Sequence, residues 1–129
     1  DGSMGYIGSV DRPVEIALNG GRITRIEDNN SGRMLKDYIS RFEDSRMFTA
    51  SEFGIGLNTY ARCRGCCYIE DESAYGTFHL GFGRNIALGG IQDAVGHFDL
   101  VAYQADIYVD NQMIMEQGKI TVLEPHIYV

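Results

Sequence analysis

Three short runs in the middle of the chain alternate apolar and polar residues with a period of two. In residues 51–58, Phe53, Ile55 and Leu57 fall on one side, and Glu52, Gly54, Gly56 and Asn58 on the other. In residues 77–83, Phe78, Leu80 and Phe82 oppose Thr77, His79, Gly81 and Gly83. In residues 97–103, Phe98, Leu100 and Ala102 oppose His97, Asp99 and Val101. Strict alternation marks a half-buried strand, because successive side chains point to opposite faces. Each run therefore turns an apolar face to a core and its polar groups to a common side.

The flanking segments complete a fold. Val14, Ile16 and Leu18 alternate, Asn19-Gly20-Gly21 is a turn signal, and residues 22–27 alternate again through Ile23 and Ile26, which predicts a hairpin. Within residues 32–44, Leu35, Tyr38, Ile39 and Phe42 recur at helical spacing, with Ser31 as the expected N-cap and Lys36, Asp37, Arg41 and Glu43 on the solvated face. Residues 66–69 read as a short strand, and Glu70-Asp71-Glu72-Ser73 as a solvated acidic turn opening into a helical turn through Tyr75. At the end of the chain, Ile107 and Val109, Met113 and Met115, then Ile120 and Val122 alternate around two turns, a meander that would close the sheet. The predicted class is α+β: a mainly antiparallel, curved sheet or partly closed barrel with one principal amphipathic helix.

Length and composition narrow the function. With 129 residues the chain is long enough for one domain with its own core. The formal charge of −7 and the lack of a basic stripe argue against nucleic acid as a partner. No apolar run approaches the roughly 20 residues that span a bilayer, and no signal-peptide pattern is present. Cys63, Cys66 and Cys67 are an odd, clustered set, a poor disulfide framework that suits a reducing cytoplasm. They read as ordinary thiols rather than a zinc knuckle, since no second ligand pair follows at finger-like spacing. The chain opens Asp1-Gly2-Ser3 without an initiator Met, as expected of a domain drawn from a longer protein.

The candidate chemistry lies on the polar faces of the three strands. Neighbouring strands would bring Glu52, His79, His97 and Asp99 together, a ligand set suited to Zn²⁺, Fe²⁺, Mn²⁺ or a similar ion. A strand histidine is more often a hydrogen-bonded structural residue than a ligand. Against that, His97 and Asp99 project from one face, and three strands share the same pattern. Glycines beside Glu52 and His79 are expected to leave room for a ligand over the sheet. Between the histidine strands, the glycine-rich loop of residues 83–96 offers Arg84, Asn85 and Gln92 as candidate contacts, although each is at least as often part of a plain surface connection. His126, after Pro125, reads as structural or exposed.

The order and spacing of Glu52-Phe-Gly-Ile-Gly-Leu-Asn58, of Glu70-Asp-Glu72 with Gly76-Thr-Phe-His79, and of Ala94-Val-Gly-His97-Phe-Asp99 resemble the C-terminal region of the thermophilic metallopeptidase-like family. That family embraces aminopeptidase T, related leucyl aminopeptidases and 2,5-dihydroxypyridine dioxygenase. The resemblance implies a single domain over residues 1–129, equivalent to the C-terminal metal-binding domain of a larger protein. It implies Glu52, His79, His97 and Asp99 as ligands of divalent zinc, cobalt or manganese in a metal-dependent aminopeptidase. It also implies a peptide or small-molecule substrate, and it admits a homodimer. The alternative is a mononuclear Fe²⁺ ring-cleaving dioxygenase, with His97 and Asp99 among the ligands. A non-catalytic peptide- or ligand-binding module is a second alternative. Two peptidase features have no match here: an upstream glutamate, and a tyrosine where this chain has Asn85 and Ile86. No residue is assigned as a general base.

Overall fold

A computed structural model describes residues 2–4 and 7–122. Tyr6, Leu123, Pro125 and His126 lie outside the described residues. The fold is α+β, with every strand pair antiparallel. In chain order it runs β1 (Gly2–Met4), β2 (Gly8–Ser9), β3 (Ile16–Asn19), β4 (Arg22–Ile26), α1 (Asn30–Ser40), a 3₁₀ turn (Ser45–Phe48) and β5 (Ala50–Ile55). There follow α2 (Tyr68–Ser73), β6 (Thr77–Gly83), a second 3₁₀ turn (Ile86–Leu88), β7 (His97–Tyr103), β8 (Ile107–Val109), β9 (Gln112–Glu116) and β10 (Lys119–Ile120).

The main sheet has five strands in the order β2-β1-β7-β6-β5. All three alternating runs therefore lie side by side, the arrangement that would bring their polar groups together. The β3–β4 hairpin forms at the expected place. Gly20 and Gly21 both have positive φ, at 56° and 76°, which a two-residue turn matched to strand twist demands.

α1 packs its apolar stripe on one face of the sheet. Leu35 and Ile39 are fully buried with Met47, Phe82 and Phe98 in one cluster. Tyr38 meets Phe42 and Phe98 edge-on, and Phe82 stacks on Phe98 with centroids 5.4 Å apart. The helix starts earlier than its periodicity suggests. Asn29, not Ser31, is the N-cap, and its side chain accepts from Gly32 N at 2.8 Å. The Ser31 hydroxyl instead donates to Asp11 at 2.5 Å.

Two expectations fail. Residues 66–69 are not a strand, because Tyr68 and Ile69 open α2. The terminal meander forms its own three-stranded sheet, β10-β9-β8, and leaves the main sheet open rather than closed into a barrel. Among the described residues no helix is long and apolar enough to cross a membrane.

Candidate metal centre

Antiparallel register places the polar residues of β5, β6 and β7 in a small lattice on the face away from α1. Glu52 pairs with Gly81, which in turn pairs with Asp99. One step along, Gly54 pairs with His79, and His79 with Val101. One step the other way, Gly83 pairs with His97. The four residues predicted as ligands thus share one face, within two strand-widths of each other.

Their side chains converge. His79 Nε2 lies 3.4 Å from Glu52 Oε1, while His97 Nε2 lies 3.3 Å from Glu52 Oε2 and 3.2 Å from Asp99 Oδ1. Asp99 is the deepest of them, with 8% of its side chain exposed, against 12% for His79 and 30% for His97. The other ring nitrogen of His97, Nδ1, donates to the Arg84 carbonyl at 2.7 Å. That bond directs Nε2 towards the carboxylates, which is how a backbone acceptor fixes the ring of a metal-binding histidine.

A fifth donor, read from sequence as part of a solvated turn, belongs with these four. Glu72, His79 and Asp99 form one cluster with ligand atoms within 4.8 Å of one another, and Glu52, His97 and Asp99 form another. Asp99 is common to both. Glu72 reaches the site because α2 lies across the sheet. The Thr77 hydroxyl donates to the carbonyls of Ala74 and Glu72, and Asn58 N–H donates to Ser73 O while Tyr75 N–H donates to Asn58 O. Asp71, on the same helix and 1% exposed, accepts from the amides of Arg64 and Gly65 and so ties down the preceding loop.

Electrostatics favour a cation here. The hydrogen bond to Asp99 pushes His97 up to about 9, the Arg84 carbonyl acting in the same sense. Burial raises the Glu72 carboxyl, and the neighbouring Asp99 charge raises it further. Three carboxyl groups crowd two imidazoles, and His79 Nδ1 is buried with no hydrogen-bond partner. Buried polar atoms are rarely left unpaired without a reason. Mixed imidazole and carboxylate donors with an orphaned ring nitrogen fit a divalent metal.

Other candidates find structural roles. The space over Gly54 and Gly81 is taken up by the two imidazole rings and is not open to a ligand. Asn85 donates to Ser51 O at 3.0 Å and accepts from Gln92 N at 2.9 Å. The Gln92 amide donates to the carbonyls of Gly83 and Thr49. Arg84 pairs with Asp93. These residues pin the loop of residues 84–96 instead of facing the carboxylates. Cys63 is half-buried and Cys66 and Cys67 are exposed, all in the loop before α2.

A family profile described as NicX, 2,5-dihydroxypyridine 5,6-dioxygenase, matches residues 1–122. The chain belongs to this dioxygenase family. The 2,5-dihydroxypyridine 5,6-dioxygenase of Pseudomonas putida KT2440 is 27% identical over 120 residues, covering 86% of this chain and 34% of that protein. The solved structure of 2,5-dihydroxypyridine dioxygenase from the same strain superposes with a TM-score of 0.75 at 25% identity, covering 86% of this chain and 34% of that one. The chain thus spans about a third of the length of these relatives.

Membership in the dioxygenase family overturns the peptidase reading, and the hydrolase, aminopeptidase and metalloprotease assignments go with it. The reason is chemical. Two imidazoles and carboxylates on adjacent strands bind a hydrolytic or an oxygen-activating metal equally well. The motifs that carried the resemblance therefore report the donor set and not the reaction.

Proposed function

We propose that this chain carries the metal-holding part of an enzyme that opens a dihydroxylated nitrogen heteroaromatic ring with dioxygen, using Fe²⁺. The observation that carries the reading is the family match over residues 1–122, on a sheet whose face gathers two imidazoles and three carboxyl groups. His79, His97, Asp99 and Glu52 would hold the ion, with Glu72 beside them. A ferrous ion held by two imidazoles and a carboxylate supplies the one-electron chemistry by which dioxygen reacts with an electron-rich ring.

The chain's own groups have separable tasks. The Arg84 carbonyl keeps the proton of His97 on Nδ1 and leaves Nε2 for the ion. Asp99 lies between the two clusters, so it ties both histidines to one centre. Glu72, its carboxyl raised by burial and by the Asp99 charge, stands next to His79 and Asp99 as a further oxygen donor. α2 covers the Glu72 side, while the more exposed His97 and Glu52 leave that edge open to a small planar substrate.

The test separates binding from turnover. Chain reconstituted anaerobically with Fe²⁺ should retain iron on desalting, and a His97→Ala, Asp99→Ala double variant should lose it. Turnover is assayed in the longest natural chain that carries this sequence, as oxygen uptake in step with loss of the ring absorption of 2,5-dihydroxypyridine. Iron that is never retained, or turnover that survives the double variant, would sink the proposal.

A further inference from the structure

Gly54 and Gly81 hold ordinary strand backbone, since neither has a positive φ. Nothing in the main chain demands glycine at either place, and glycine in a strand interior costs stability through its backbone entropy. The reason lies above them. A Cβ on Gly54 would stand 2.3 Å from His79 Nε2, and the nearest ring carbon, Cε1, is closer still. A Cβ on Gly81 would stand 2.7 Å from His97 Cε1, 2.9 Å from its Nε2 and 2.8 Å from Glu52 Cβ. Each imidazole occupies the space over a glycine of a neighbouring strand, where a side chain would otherwise stand. His79 leans onto its direct partner on β5, and His97 leans diagonally from β7 onto β6. Gly81 is also flanked by Glu52 on one side and Asp99 on the other, so a side chain there would fill the floor between two carboxylates.

The geometry points to Gly54 and Gly81 as positioning residues for the proposed metal centre: their bare backbone sets the tilt of His79 and His97 and so brings the ring nitrogens onto the carboxylates. This inference deepens the metal reading above and rests on it for its functional consequence. A strand histidine normally stands away from the sheet, with its nitrogens far above the Cα plane. Settling over a glycine holds each Nε2 low enough to meet Glu52, at 3.4 Å for His79 and 3.3 Å for His97, and lets His97 Nε2 reach Asp99 on its own strand at 3.2 Å. The two glycines act separately, one per ring, so each should be lost without the other.

The experiment compares wild type with Gly54→Ala and Gly81→Ala. Ring-proton NMR of the metal-free protein should show contacts from the His79 ring to Gly54 and from the His97 ring to Gly81. Each alanine should move only its own ring's signals. Titration with Co²⁺ should weaken by about tenfold or more in each variant, the range typical when the shell that orients metal ligands is disturbed. If the variants bind Co²⁺ as wild type does, or if the ring-to-glycine contacts are absent in wild type, the inference is overturned. If wild type binds no metal, the metal reading fails, while the ring contacts still decide what the glycines do. Should Gly54→Ala prove too unstable to study, adding His79→Ala must restore stability. Loss of that coupling would also overturn the assignment.

Discussion

β6 faces two environments that are packed by opposite means. On one side Leu80 and Phe82 meet α1 and the aromatic cluster, where large side chains interlock and Phe82 has no exposed surface, while Phe78 stacks on Phe53 of β5. On the other, His79 and Gly81 meet Glu52, Asp99 and Glu72, where space is made by removing side chains and filled with rings and charge. The first face holds the fold through burial of apolar area. The second spends stability on gathered carboxyl groups and a buried, unpaired ring nitrogen. Stability and the proposed metal binding are therefore separated across the thickness of a single sheet.

That separation can be broken from either side. Phe82→Ala should have the largest effect on folding, about 3–5 kcal/mol by denaturant titration, because the buried ring leaves a cavity. Asp99→Asn should do the reverse: metal affinity falls by about a hundredfold or more, since Asp99 serves both clusters, while stability without metal, compared at about pH 9 where the His97 charge contributes little, falls by less than in Phe82→Ala. A drop in stability as large as that of Phe82→Ala would refute the separation.

Acidity sharpens the comparison. In the metal-free chain His97 titrates at about 9 against an ordinary 6.5, so its charged form is favoured by folding. That stabilisation is complete below about pH 6.5 and is lost as pH rises through about 9. Thermal midpoints of chelator-treated protein should fall across this window, and the slope should flatten in Asp99→Asn. Proton competition should also make metal binding tighten towards pH 9, with protons released on binding. The smallest effect belongs to a site remote from both faces. Asn29→Ala should cost about 1 kcal/mol through the lost cap of α1 and leave metal affinity unchanged.

Much of the architecture could be read from periodicity. The β3–β4 turn, the stripe of α1 and the three alternating runs each follow one rule over enough residues to be decisive. Glu72 could not be read this way. α2 has only six residues, and its pattern is inverted: Asp71 is buried while Ile69 is 56% exposed. A helix that turns its acids inward looks, by hydropathy alone, like a surface turn. The available signal was the resemblance, whose motif includes Glu72 but does not say which way it points. Asn85 and Gln92 are ambiguous in sequence for a related reason. Polar loop residues beside a site look the same in sequence whether they meet a ligand or hold the loop's own carbonyls. The reaction itself was hidden because Glu52, His79, His97 and Asp99 state which atoms are offered, not which metal accepts them.

The carbonyl that accepts the His97 Nδ1–H hydrogen bond belongs to the main chain at Arg84, and so no change of side chain there deletes it. Its place is inherited through the path of the loop, which Asn85 and Gln92 keep. A relative could exchange Arg84 for almost any residue and preserve the tautomer of His97. Adding or removing one residue between Gly83 and Gly96 would shift the carbonyl and lose it. At this point of the molecule, variation in spelling is harmless, and variation in length is not.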